Sequence, residues 1–158
     1  MLLLAGAVAV AGCGGGEDEE RASAPAPPPE TEERAAKARP AGTVITLGDS
    51  EFGSMLFNSR KQAIYIFERD PKGKSACYGE CATAWPPVFT KGEPEAAKGV
   101  DASLLGTVKR RDGKLQVTYA GKPLYFYAHE SPGEVRCHNV DLNGGLWWVV
   151  GPDGRRRA

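Results

Sequence analysis

Neither sign of charge is in excess in this chain. Lys+Arg 20 and Asp+Glu 20 give a formal net charge of +0. The basic signal of a nucleic-acid binder is absent, and no nucleic-acid partner is expected. Histidine is scarce, at 2 residues, and cysteine stands at 4. No Cys-x-x-Cys-His occurs, which argues against covalent c-type haem. Nucleophile, phosphate-loop and metalloprotease signatures are missing as well. Neither a catalytic activity nor a cofactor is therefore expected. Long apolar runs are lacking too: residues 1–12 form an apolar stretch, but a membrane-crossing helix needs about 20 residues.

That stretch reads as the apolar core of a secretory signal. It ends Val10-Ala11-Gly12-Cys13, an apolar residue and two small ones before a cysteine. This is the pattern at which a bacterial lipoprotein is acylated on its thiol and cleaved. Residues 1–13 are thus expected to be a lipoprotein signal segment, with Cys13 lipidated. Acyl chains add about 0.8 kcal/mol per buried methylene, and several together give stable anchoring. The expected location is extracytoplasmic, on the bacterial cell membrane, with the membrane itself a partner through the anchor. No Lys or Arg precedes the apolar run, so the start is expected upstream of Met1.

Residues 14–42 contain no large apolar side chain. Glycines, an acidic run at Glu17–Glu20 and the proline-rich Ala24–Pro29 make them a tether. The folded part is expected over 43–154, with Arg155-Arg156-Arg157 a solvated basic tail at 155–158. Thr43–Leu47 reads as a strand, and Phe52–Phe57 with Ala63–Glu68 as a hairpin. Ile64 and Ile66 alternate with Tyr65 and Phe67, so both faces of that strand are apolar and it should be central. Thr107–Arg110 and Leu115–Tyr119 flank an Asp112-Gly113 turn, a strong hairpin signal. Leu146–Val150 reads as a closing strand, with short helices at 101–106 and within 75–85. The fold class is mainly β with minor helix.

One pattern occurs twice: Tyr65-x-Phe67-x-x-Asp70 and Tyr125-x-Tyr127-x-x-Glu130. Superposing the acids brings Cys77 onto Cys137 and nearly aligns Trp85 with Trp147, so the fold is expected to be a compact domain of two duplicated hairpin-containing units. Trp85-Pro86-Pro87, Gly99-Val100-Asp101, Arg111-Asp112-Gly113 and Gly121-Lys122-Pro123-Leu124-Tyr125 complete an ordered set of motifs. On these residues the chain resembles bacterial secreted-repeat lipoproteins of unknown function, over about residues 50–154. The resemblance implies a location and a fold but no mechanism. Glu130 departs from the family's Asp, and Cys137-His138 stands where small or polar residues are expected.

Four constellations could carry chemistry. Cys77 and Cys81, four apart in an exported chain, suit a local disulfide worth about 2 kcal/mol; a redox pair and a metal site are the alternatives. Cys137 and His138, with His129 nearby, offer zinc or copper ligands, against the simpler reading of a partly buried thiol beside a surface histidine. The dense aromatics read as core, or as a groove for a small ligand. Asp70 and Glu130 read as turn-fixing acceptors, or as an acid–base pair. The expected function is a lipid-anchored structural or binding module for a cell-envelope protein or small ligand. The rival is an extracytoplasmic redox or copper/zinc protein using Cys77, Cys81, Cys137 and His138.

Overall fold

The computed structural model describes residues 42–158. The expected signal segment, Cys13 and residues 14–41 of the expected tether lie outside them. Among the described residues no helix is long and apolar enough to cross a membrane.

The chain opens with β1 (Val44–Ser50) and β2 (Gly53–Asn58), antiparallel from Ile45↔Asn58 to Ser50↔Gly53. The expected hairpin partner of residues 52–57 is therefore β1 and not the 63–68 segment. A tight neck remains there: Phe57 bridges Ala63, and Ile64 N–H donates to Leu56 C=O at 3.1 Å. Beyond it β3 (Tyr65–Phe67) leaves for another sheet. Its two apolar faces each need a core, and a simple hairpin would supply only one.

A disulfide-clipped turn leads to α1 (Glu80–Ala84), which stops before Pro86-Pro87. The short strands β4 (Phe89–Thr90) and β5 (Glu95–Ala96) follow. The helix expected at 101–106 is one 3-10 turn, Ala102–Leu104, whose first N–H groups Asp101 caps through Ser103 N–H at 2.9 Å. Then β6 (Leu105–Lys109) and β7 (Leu115–Tyr119) form the expected hairpin. Gly113 takes φ +82° in its turn, a conformation costly for other residues. β8 (Lys122–Pro123), β9 (Val140–Leu142) and β10 (Gly145–Val149) complete the chain.

Three small sheets result, ordered β2-β1-β5, β3-β10-β9 and β4-β7-β6, with β8 on β7. β3 is flanked on both sides, by β10 through Ile66↔Trp148 and by a bridge Tyr65↔Tyr125. Alternation then sorts its side chains. Ile64 and Ile66 enter an aliphatic core with Leu56, Val88, Val117 and Leu124. Tyr65 and Phe67 enter an aromatic core with Trp85, Tyr125 and Trp147.

The two repeats interlock. Leu56 of the first bonds Val150 of the second (N–H to C=O, 2.9 Å), and Val117 of the second bonds Val88 of the first (2.8 Å). Gly73 N–H reaches Gly121 C=O, and its counterpart Gly133 N–H reaches Lys61 C=O. Each repeat's closing segment thus pairs with the other's opening hairpin, so neither half contains a complete core.

The expected solvated tail keeps Arg155 and Arg156 exposed, but its backbone folds back on the domain. Gly151 N–H donates to Arg155 C=O, Arg157 N–H to Val149 C=O, and Arg157 Nε to Ser54 C=O at 3.0 Å. A Cβ on Gly151 would lie 2.1 Å from the Arg157 guanidinium. Only glycine leaves that path open, and backbone bonds that β10 leaves unmade give the arginines their places.

Candidate functional site

The repeated tyrosines and acids meet across the repeat interface. Tyr65 and Tyr125 exchange both backbone bonds, at 2.8 and 2.9 Å. Each hydroxyl then donates to the acid of the other repeat: Tyr65 to Glu130 Oε1 and Tyr125 to Asp70 Oδ2, both at 2.7 Å. Each acid also closes its own turn, Asp70 taking Ala76 N–H at 2.7 Å and Glu130 taking Arg136 N–H. One motif therefore does two jobs, with the carboxylate capping a turn and locking onto the partner repeat. Asp70 and Glu130 are held by different tyrosines and do not form one acid–base dyad.

Trp85 and Trp147 stack in the aromatic core, with centroids 3.8 Å apart and planes 2° from parallel. Tyr65 meets Trp85 edge-on at 5.4 Å, and Tyr125 meets Trp147 likewise at 5.2 Å. The indole N–H groups donate outward to Asn143 Oδ1 and Leu142 C=O. Trp85, Trp147, Tyr65 and Tyr125 fill the core, while Phe67 and Trp148 also line a cleft of about 250 Å³ with Glu68, Asp70, Lys122 and Arg156. Trp148 points to the other face of β10 and packs against the aliphatic core.

The copies differ where the sequence departs from its own repeat. Ser75 Oγ lies 2.7 Å from Tyr125 Oη and accepts from Arg110 Nη1. Because Tyr125 gives its proton to Asp70, Ser75 donates to Tyr125. Arg110 is buried, and also donates to Gln116 Oε1 and Cys77 C=O, each at 2.7 Å. Its guanidinium rests on the Tyr78 ring at 4.1 Å. A cation thus faces a carboxylate through two hydroxyls. In the second repeat Val135 replaces Ser75, the relay is missing, and Glu130 Oε2 is buried without a partner. Arg110, Ser75, Gln116 and Tyr78 were not legible as a site: Arg110 ends a hairpin strand, where an arginine normally faces water.

Burial pushes the Asp70 carboxyl up to about 6, against the opposing pull of Ala76 N–H, Tyr125 and Arg110. Burial also raises Glu130, opposed by Tyr65 and Arg136 N–H. Burial and Glu130 raise Tyr65, while burial and the Asp70 charge raise Tyr125, so both stay protonated donors. The folded chain therefore binds more protons than the unfolded one between about pH 4 and pH 6. Stability should be greatest at the acid end of that window and fall as pH rises through about 6. For partly exposed Asp70 the loss is about 2 kcal/mol. Urea midpoints at pH 4.5 and 7 check this, and Asp70→Asn should flatten most of the slope. A midpoint that rises over this range would show that the hydrogen bonds outweigh burial.

Cys77 and Cys81 are joined in a disulfide, which removes both from any thiolate ligand set. Cys137 is a buried free thiol, its pKa raised by burial and by Glu130. His138 is half-buried and not a surface residue: it stacks on Phe52 at 4.1 Å and meets Trp148 edge-on. Burial lowers its pKa, with Glu51 opposing. His129 packs on Tyr127 instead. Among the described residues no group of three or more His, Cys, Asp or Glu could hold a metal ion.

Two shallow clefts flank the β6–β7 hairpin. One, of about 560 Å³, is lined by Lys74, Ser75, Tyr78, Lys109 and Arg111. The other, of about 580 Å³, is lined by Thr43, Phe89, Lys91 and Lys114. Arg110 lies between them, 4.1 Å from the Tyr78 ring and 6.0 Å from that of Phe89.

A family model described as a secreted repeat of unknown function matches residues 46–89 and 106–151, one copy per interlocked half. No curated protein matches the chain, and no solved structure does.

Proposed function

The chain belongs to a family of secreted repeats of unknown function, and from that premise we propose that it is a non-catalytic binding module, held on the outer face of a membrane by lipidated Cys13. One observation carries the non-catalytic part: the groups able to do chemistry are occupied in holding the fold together. Both motif carboxylates accept a cross-repeat tyrosine, and two of the three described cysteines form a clip. The two clefts beside the β6–β7 hairpin are shallow and basic. The lipobox-like Val10-Ala11-Gly12-Cys13 supports the anchor.

Two measurements test this. Full-length chain from a bacterial host should sit in the membrane fraction, with a diacylglyceryl group on Cys13 by mass. Cys13→Ala should move it to the soluble fraction, and an unmodified Cys13 on membrane-bound protein would overturn the anchor. Purified under oxidising conditions, the protein should show one free thiol, Cys137, reactive only after denaturation. Stoichiometric zinc or copper, lost in Cys137→Ser, would replace the module reading with a metal-handling one.

A further inference from the structure

One of the two basic clefts lies where the chain enters the domain. Thr43, one residue after the first described position, lines the second cleft, its hydroxyl donating to Phe89 C=O at 2.7 Å. The segment arriving from Cys13 therefore joins the fold beside Phe89. That ring is 39% exposed, one of two large apolar side chains exposed among the described residues. Lys114 Nζ stands 5.0 Å from its centroid, and Arg111 rests on Tyr78 at 4.0 Å. Among the described residues, none of Lys74, Lys91, Lys109, Arg111 and Lys114 is in an ion pair. Asp112, between Arg111 and Lys114, is turned to Lys114 N–H and Arg110 Nε, and neither it nor Glu93 nor Glu95 lines either cleft.

Unpaired cations around an exposed aromatic ring match the chemistry of a membrane interface: the ring sits at headgroup level and the ammonium groups meet phosphates. We propose that this face of the β6–β7 hairpin docks on an anionic phospholipid surface, with Phe89 entering the interface and Lys91 and Lys114 beside it holding headgroup phosphates. The proposal takes its membrane from the lipid-anchor reading above. It adds a second, protein-borne contact that would turn one face of the domain toward the bilayer. Because several acyl chains on Cys13 would already anchor the chain stably, this contact acts on the domain's orientation.

The test uses residues 42–158, which contain both cores and lack Cys13, so its outcome does not depend on acylation. Sedimentation with phosphatidylcholine vesicles, with and without phosphatidylglycerol, reads binding directly. Binding should require the anionic lipid and weaken as salt rises. A basic residue near such a surface contributes about fivefold, so Lys91→Ala with Lys114→Ala should weaken binding about 25-fold. Lys74→Ala with Lys109→Ala, in the other cleft, provides an independent variant with the same expected direction. Equal binding to both vesicle types, or full binding by both double variants, would overturn the proposal. So would a soluble polyphosphate that binds as tightly as the vesicles, since the face would then serve a phosphate polymer. Unmodified Cys13 on the full chain with vesicle binding intact would remove the anchor and leave this surface standing.

Discussion

Trp85→Ala should destabilise the domain by about 3–5 kcal/mol, a large share of what a domain of this size has to lose. Trp85 is fully buried, and its ring is stacked on Trp147 and contacted by Tyr65 and Tyr127. Alanine would leave an indole-sized void between the repeats and remove the bond to the exposed Asn143 Oδ1. Collapse cannot fill the void cheaply, because both repeats are fixed at this point by the Tyr65–Tyr125 bridge. Trp148, half-buried on the other face of β10, is the control: Trp148→Ala should cost markedly less. Urea denaturation gives the free energies, and circular dichroism gives the signature. Two indoles in parallel contact couple their transitions, so the coupled band should vanish in Trp85→Ala and Trp147→Ala but persist in Trp148→Ala. Equal costs at positions 85 and 148 would mean that the stack is not the seam of the fold.

Much of this was legible in residue order. The Tyr-x-aromatic-x-x-acid motif and the alternation of Ile64 and Ile66 with Tyr65 and Phe67 announced a duplicated β fold with a two-faced strand. Asp112-Gly113 marked a hairpin because the turn needs a residue tolerant of positive φ. Partner choice was not legible. Residues 63–68 read as pairing with 52–57 because local contacts are what a sequence displays. In the structure β3 finds β10, about eighty positions away in the chain, and Tyr65 finds Glu130. Repeat units show that two halves exist and not that they exchange closing segments. The Arg155–Arg157 run was legible in part: Arg155 and Arg156 stay exposed as their charge suggests, while Arg157 is half-buried because Val149 C=O and Ser54 C=O accept from it. The basic face was hidden because its residues come from separate stretches of chain, each unremarkable alone.

The second large effect is expected at Arg110. Removing one partner of a buried charged network typically costs about 3–5 kcal/mol, because the remaining groups keep their desolvation penalty. Arg110→Met keeps much of the side-chain volume but leaves Gln116 Oε1 and Cys77 C=O without the donor they face. Gln116 is itself fixed by donating to Leu124 C=O at 2.8 Å, so it cannot swing to a new partner without giving up that bond. Adding Gln116→Leu should therefore recover part of the loss, since an apolar pair asks for no hydrogen bonds. The effect should also reach Asp70 through Ser75 and Tyr125, although Arg110 forms no ion pair with that carboxylate. Arg110 is one of the groups holding the Asp70 carboxyl down, so its loss should lift it above about 6 and move the pH window of stability upward. The double variant Arg110→Met, Asp70→Asn should then cost less than the sum of the two single changes. Strict additivity would break the relay into independent hydrogen bonds. Coupling would make Ser75 and Tyr125 the path by which a buried cation in one repeat steadies the acid that locks it to the other. Glu130, facing Val135 in place of a serine, should show no such dependence on Arg110.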